Sequence, residues 1–273
     1  MLTRAIPKTG ELLPAIGLGT WQTFDVGIGG RRAVEDVLRA HFAAGGRVID
    51  SSPMYGRAEE VTGDELTHVL MHIAARPFLA TKVWTSGKDE GIAQMKRSLE
   101  RLRTHTIDLM QVHNLVDVET HLPVLREWKA AGTIRYIGVT HYQRNQFDRI
   151  EQLMRTEELD FIQIPYSIVD RVAEQRLLPV ALDTGTAVLV MTPFESGGLF
   201  RQIQGRALPG WASDFDCTSW AQFFLKFLLG HPAVTCPIPA TAKPLHAEDN
   251  LRAGEGRLPD DKQREQMAKV IVQ

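Results

Sequence analysis

Four side chains able to move a proton or hold a charge recur at similar places in the chain. They are Asp50 closing "RVID", Tyr55 in "SSPMYG", Lys82 in "FLATKV" and His113 closing "IDLMQVH". Three end a short apolar run and one sits in the turn that follows, where packing alone gives no reason for a polar group. A phenol is a poor acid near neutral pH, its reference pKa being about 10. A lysine ammonium about 4 Å away favours the phenolate by roughly 4 kcal/mol at an effective dielectric of about 20, which is nearly three pKa units. Lys82 is therefore expected to pull Tyr55 down into a usable range. Asp50 would keep Lys82 charged and oriented, while weakening that pull, and His113 would orient a carbonyl oxygen or share its proton. A hydrolytic apparatus is missing from the pattern: no activated serine, no His-x-His on the first strand, no cluster with metal-ligand spacing. Protonating a carbonyl oxygen while hydride reaches its carbon suits the four best.

Such a set needs a scaffold that brings many strand ends together. From "AIGLG" to "VTCPIP", short branched apolar runs alternate with longer amphipathic segments in about eight units. Runs apolar on both sides suit buried parallel strands, and Gly45-Gly46, Gly132 and Gly185 stand where the helices should end. Strict alternation permits a closed barrel or an open doubly wound sheet. The count favours a (β/α)₈ TIM barrel, and "GIGG" is not the fingerprint of the open dinucleotide-binding sheet. Two short strand-like stretches around Lys8-Thr9-Gly10-Glu11 predict an N-terminal β-hairpin closing the bottom of the barrel. No linker-like tract divides the chain, so one domain over residues 1–273 is expected. The irregular "GWASDFDC" is expected to be a mobile loop, and "PDDKQREQMAKVIVQ" a helix with one apolar face.

Chemistry in such a barrel belongs at the C-terminal strand ends. Besides the four residues above, those ends offer Gly19-Thr20-Trp21, Trp84, Asn114, Thr140-His141, Gln163 and Tyr166. Trp21 and Trp84 are expected to wall a pocket for an apolar or aromatic carbonyl substrate. The remaining histidines, Met71, Met95 and Cys236 read as packing. A formal net charge of −2, with 44% hydrophobic and 23% charged residues, argues against nucleic acid or a membrane surface as partner. Two cysteines without metal or disulfide spacing, and an N-terminus without an apolar leader, predict a cytoplasmic protein with no metal.

The stretches "IGLGTW", "VIDSSPMYGRAEE", "TKVW", "DLMQVHN", "RYIGVTHY", "IQIPYS" and "TCPIPATAKPLHAEDN", in this order, resemble the aldo-keto reductase family across nearly the whole chain. The resemblance implies that Asp50, Tyr55, Lys82 and His113 form a catalytic tetrad, with Tyr55 as general acid and NADP(H) lying across the barrel mouth. It implies cofactor contacts from Thr20, Asp50, Thr140, His141, Gln163, Met191, Pro193, Phe194, Ser196, Gly198, Ile238, Thr241, Lys243, His246, Asp249 and Asn250. Four positions depart from the family pattern. His141 stands for the usual asparagine, Met191 for an aromatic that stacks on the nicotinamide, and Ala240 with His246 for two basic residues that hold the 2′-phosphate. Lys243 or Arg252 would then supply the missing charge. The resemblance implies a monomeric reductase of a small-molecule carbonyl. Its alternatives are an NAD(H)-linked alcohol or sugar dehydrogenase and a cofactor-binding regulatory subunit of a membrane channel.

Because a histidine gains charge on mild acidification, a phosphate held by His246 should make the preference for NADPH over NADH rise as pH falls. A flat ratio of dissociation constants between mildly acidic and mildly alkaline buffer would remove His246 from that role.

Overall fold

The computed structural model describes residues 1–272; Gln273, which the sequence places at the end of the last helix, lies outside the described residues. Strands β1 (Thr3–Ala5) and β2 (Leu12–Pro14) pair antiparallel, Thr3 opposite Pro14, as the expected hairpin. Eight parallel strands follow: β3 (Leu18–Gly19), β4 (Val48–Asp50), β5 (Phe78–Val83), β6 (Ile107–His113), β7 (Ile134–Thr140), β8 (Phe161–Pro165), β9 (Ala187–Met191) and β10 (Val234–Pro237). Each pairs with its sequence neighbour. The first and last close on each other: Gly17 N–H donates to Pro237 O (2.9 Å), Gly19 N–H donates to Pro239 O (3.1 Å), and Gly19 bridges to Ala240. Only glycine permits this approach, since a Cβ on Gly19 would stand 2.8 Å from Ile238 O.

Side chains alternate across each strand, and the inward set sorts into two zones. Val48, Phe78, Leu109, Tyr136, Phe161, Leu189 and Cys236 fill the lower barrel together with Ile6 and Leu13 from the hairpin. The hairpin is thus a plug, and Glu11 fastens it: the Tyr136 hydroxyl donates to Glu11 Oε2 (2.7 Å), and Arg135 bridges Glu11 and Asp108. Above this dry zone the inward residues turn polar. The outward faces pack against helices, mainly Arg31–Ala43, Ala58–Leu70, Lys88–Arg101, Val118–Ala130, Phe147–Thr156, Leu177–Thr184 and Trp220–Leu229. Pro244–Arg252 and Asp261–Val272 follow β10. Among the described residues no helix is long and apolar enough to cross a membrane.

Residues 210–217 differ from expectation. Gly210–Phe215 is a 3₁₀ turn that buries Ala212 and Phe215, Trp211 packs on Phe223, and Asp216 pairs with Arg257. Its irregular pattern made this segment read as a loose loop, but its aromatic residues anchor it. The last helix does bury one face, through Met267 and Ile271.

His41, on the inner side of the Arg31–Ala43 helix, is 1% exposed, and its Nε2 has no partner among the described residues. Burial pulls its pKa down to about 4, against a small opposing effect of a hydrogen bond with the Val48 backbone. It is neutral in the fold, whereas in the unfolded chain it takes up a proton near pH 6.5. Stability is therefore full above about pH 6.5 and falls as pH drops toward the folded value, by roughly 3 kcal/mol for this group. Urea unfolding at about pH 7 and pH 4.5 should show that loss in the wild type and a correspondingly smaller one in His41→Leu. Equal losses would mean that His41 is not the group responsible.

Candidate active site

The polar zone at the barrel mouth is organised around one carboxylate. Asp50 Oδ2 accepts from Lys82 Nζ at 2.6 Å, and Oδ1 accepts from Gln111 Nε2 at 3.2 Å and Gln163 Nε2 at 2.8 Å. Register explains the meeting: Asp50 ends β4, and Lys82, Gln111 and Gln163 face inward from β5, β6 and β8. Asp50, Lys82, Gln111 and Gln163 are all at most 2% exposed. Lys82 also donates to Ser51 O at 2.7 Å, so two of its three protons are used inside the barrel. The third remains for Tyr55, whose ring centroid lies 5.2 Å from Nζ.

Tyr55 reaches this point on a tight turn. After β4 the chain runs through Ser51 and Ser52, Tyr55 N–H donates to Ser52 O (3.0 Å), and the Ala58–Leu70 helix begins just beyond. The Tyr55 ring meets His113 edge-on, centroids 6.0 Å apart, and Trp84 lies 6.4 Å from His113 on another side. Thr20 is fully buried, its hydroxyl reaching Asp50 O and Ser51 Oγ. All four residues singled out from sequence therefore converge. Trp21 (45% exposed) and Trp84 (41%) stand at the rim of the mouth, and Met54, in the turn just before Tyr55, is equally open.

The electrostatics correct one expectation. Burial pushes the Tyr55 phenol up, Lys82 pulls it down and Asp50 pushes it up again, leaving it above the ordinary value. Pairwise attraction to a lysine omits the cost of desolvating a phenolate, and here that cost wins. Burial alone would lower Lys82, but Asp50 and then Tyr55 outweigh it, so the ammonium is held charged. His113 goes the other way: burial first, then Lys82 and His141, bring it down to about 3. At neutral pH the site holds a protonated phenol, a charged lysine and a neutral imidazole.

The other positions form a band leading from this centre. Thr140 donates to Gln163 Oε1 (3.3 Å), and Gln143 N–H donates to His141 Nδ1 (3.0 Å). His141 is neutral, its pKa lowered by burial, so the proton sits on Nε2 and can be offered outward. Met191 ends β9, half-buried, and the loop beyond it is strained: Thr192, Glu195 and Ser196 all have φ near +50° and Gly197 has φ +83°. Three non-glycine residues in the left-handed region, one of them β-branched, cost energy, and successive N–H groups so arranged make an anion-binding concavity. Pro193, Phe194, Ser196 and Gly198 belong to this loop, and Arg201, without an acidic partner among the described residues, approaches Gly197 and Gly198. A dinucleotide's phosphates fit such a place. Farther on, Ile238 is buried, Ala240, Lys243 and His246 are exposed, and Lys243 N–H donates to Thr241 Oγ1 (3.1 Å). Asp249 has both oxygens occupied, by Ser219 Oγ (2.7 Å) and Gln222 Nε2 (2.6 Å), while Asn250 is buried beside it.

Tyr166, suggested by its place at a strand end, is not in the site. It turns outward, where its hydroxyl bonds Glu174 and Arg264. Gln111 and Ser52 were missed. Gln111 had a signal, because it lies two residues before His113 and so faces the same way.

The sequence model of the aldo/keto reductase family matches residues 15–271. An aldo-keto reductase of Bacillus subtilis is 32% identical over 203 residues, covering 68% of this chain and 60% of that protein. The chain thus spans less than two thirds of that relative's length. An NADH-specific methylglyoxal reductase of Escherichia coli is 30% identical over 235 residues, covering 73% and 69%. A crystal structure of an aldo-keto reductase from Klebsiella pneumoniae in complex with NADPH superposes with a TM-score of 0.81 at 25% identity, over 99% of this chain and 96% of that one.

Removing the charge of Asp50 leaves a buried ammonium with no counter-ion, a defect that costs roughly 3–5 kcal/mol. Asp50→Asn should therefore be strongly destabilised in urea unfolding, and Asp50→Asn combined with Lys82→Met should recover part of the loss. A single variant within about 1 kcal/mol of wild type, the scale of a solvent-exposed pair, would show that the pair is not desolvated.

Proposed function

The chain belongs to the aldo/keto reductase family, and from that premise we propose that it reduces an aldehyde or ketone to the alcohol with NADPH. The observation that carries this reading is the Tyr55–Lys82–Asp50 arrangement, a half-buried phenol that keeps its proton beside a fully buried ammonium held charged by Asp50. When bound, the reduced nicotinamide supplies hydride to the carbonyl carbon. Tyr55 gives its proton to the carbonyl oxygen, and Lys82, steadied by Asp50, stabilises the phenolate left behind. This stabilisation is needed only as charge develops, which is where it accelerates the reaction. His113, neutral, donates a hydrogen bond to the same oxygen and orients it. The rim formed by Trp21, Met54 and Trp84 suits an apolar or aromatic carbonyl.

Thr20, Thr140, His141 and Gln163 hold the nicotinamide end, with Met191 packing on the ring. The strained loop of Pro193, Phe194, Ser196 and Gly198 takes the pyrophosphate. Ile238, Thr241, Lys243, His246, Asp249 and Asn250 line the adenosine end. A second reading, use of NADH, is favoured by Ala240, which offers no charge where a basic residue would secure a 2′-phosphate. Beyond the barrel chemistry, the protein acts as a cytoplasmic monomer of one domain, with the two buried free thiols Cys217 and Cys236 suited to a reducing compartment.

Tyr55→Phe should lower turnover of an activated aromatic aldehyde by at least roughly 10²-fold, the scale of a lost general acid. Its affinity for NADPH, read by fluorescence titration, should stay close to wild type. A variant that keeps most of its rate would remove Tyr55 from the acid role. The same assay with NADH in parallel decides between the two cofactors.

A further inference from the structure

We propose that Ser52 is a positioning residue, whose hydroxyl fixes His113 in the Nε2–H tautomer so that the ring meets the substrate oxygen as a hydrogen-bond donor. This rests on the proposed carbonyl reduction for its consequence, though not for its geometry. Ser52 Oγ and His113 Nδ1 are 3.0 Å apart, and both residues are buried, Ser52 completely. The hydrogen bond can be made in two ways, and the surroundings distinguish them. Ser52 Oγ already accepts from Met54 N–H at 3.2 Å. If Nδ1 also donated to it, the hydroxyl proton would have no acceptor among the described residues, and a buried hydroxyl left unpaired is costly.

If the hydroxyl donates instead, every group is satisfied: Met54 N–H to Ser52 Oγ, and Ser52 O–H to His113 Nδ1. Nδ1 is then bare and the ring proton is on Nε2. Nε2 has no hydrogen bond to a described residue and is not among the buried polar atoms that lack a partner. It is the free donor of the ring. Neutrality of His113, imposed by burial and by Lys82, is what makes the tautomer matter, because an imidazolium would donate from both nitrogens. The turn from Ser52 to Tyr55 thus places the acid with its backbone and sets the orienting histidine with a side chain.

Long-range proton–nitrogen NMR on protein labelled with ¹⁵N-histidine, with His113→Gln for assignment, reads the tautomer without cofactor or substrate. The expected result is a His113 Nδ1 signal of the bare, acceptor type and an Nε2 signal of the protonated type. Ser52→Ala should give mixed tautomers and a kcat/KM lower by roughly tenfold to a hundredfold, the scale found when an outer partner that fixes a histidine ring is removed. Ser52→Thr, which keeps the hydroxyl, should restore both. A wild-type ring protonated at Nδ1 overturns the proposal, as does a Ser52→Ala variant with unchanged signals and unchanged rate. Failure of the reductase reading looks different: Tyr55→Phe would keep its turnover while the His113 signals stayed as expected here.

Discussion

The mouth of the barrel depends on the Asp50 carboxylate. Its two oxygens take one ammonium and two amide donors in a layer that is closed to water. A buried ion pair is a weak source of stability, because desolvating both partners consumes most of their attraction. Its value here lies in what a permanent charge at Lys82 does to its neighbours. It opposes the rise that burial imposes on the Tyr55 phenol, and it helps keep His113 neutral. One cation therefore prepares the acid and silences a competing titration a few ångströms away.

The rest of the fold keeps that layer dry and in register. The hairpin plug and the apolar lower barrel close it from beneath, with Ile6 and Leu13 inside the ring of Phe78, Tyr136 and Phe161. Alternation along β5, β6 and β8 makes the same strands apolar below and polar above, so Lys82, Gln111 and Gln163 all face inward and reach Asp50 without a bulge. The strain sits on the rim, in the loop after β9, where several residues are held at positive φ. The strands hold Asp50, Lys82 and His113, and the βα turn after β4 brings the acid Tyr55 to them, as in barrels whose function lies at the C-terminal strand ends and βα-loops.

Much of this was legible in the sequence because parallel strands leave a plain trace. Asp50, Lys82 and His113 each close an apolar run, and eight such runs in alternation point to a barrel. Tyr55 was legible through its turn and the flanking motif. Gln111 could be found only by following strand parity, and Tyr166 was misleading because nothing in its neighbourhood shows that it turns toward Arg264. The direction of the Tyr55 shift could not be read from residue types, since it depends on desolvation against one attraction. Ser52 was silent for a different reason: a serine in a turn is ordinary, and its meaning appears only with Nδ1 of His113 beside it. The packed turn at Gly210–Phe215 was hidden because one of its anchors, Arg257, is distant in sequence and the other, Phe223, lies on the helix that follows.

The central claim is that Tyr55 keeps its proton until a carbonyl oxygen takes it, with Lys82 charged beside it throughout. It is tested most directly by titrating the ring carbon bearing the hydroxyl in ¹³C-tyrosine-labelled protein, with Tyr55→Phe identifying the signal. The account requires Tyr55 to remain a phenol past about pH 10, the ordinary value for tyrosine. A Tyr55 signal already ionised near neutral pH would contradict it, and would mean that attraction to Lys82 outweighs the cost of burying the charge.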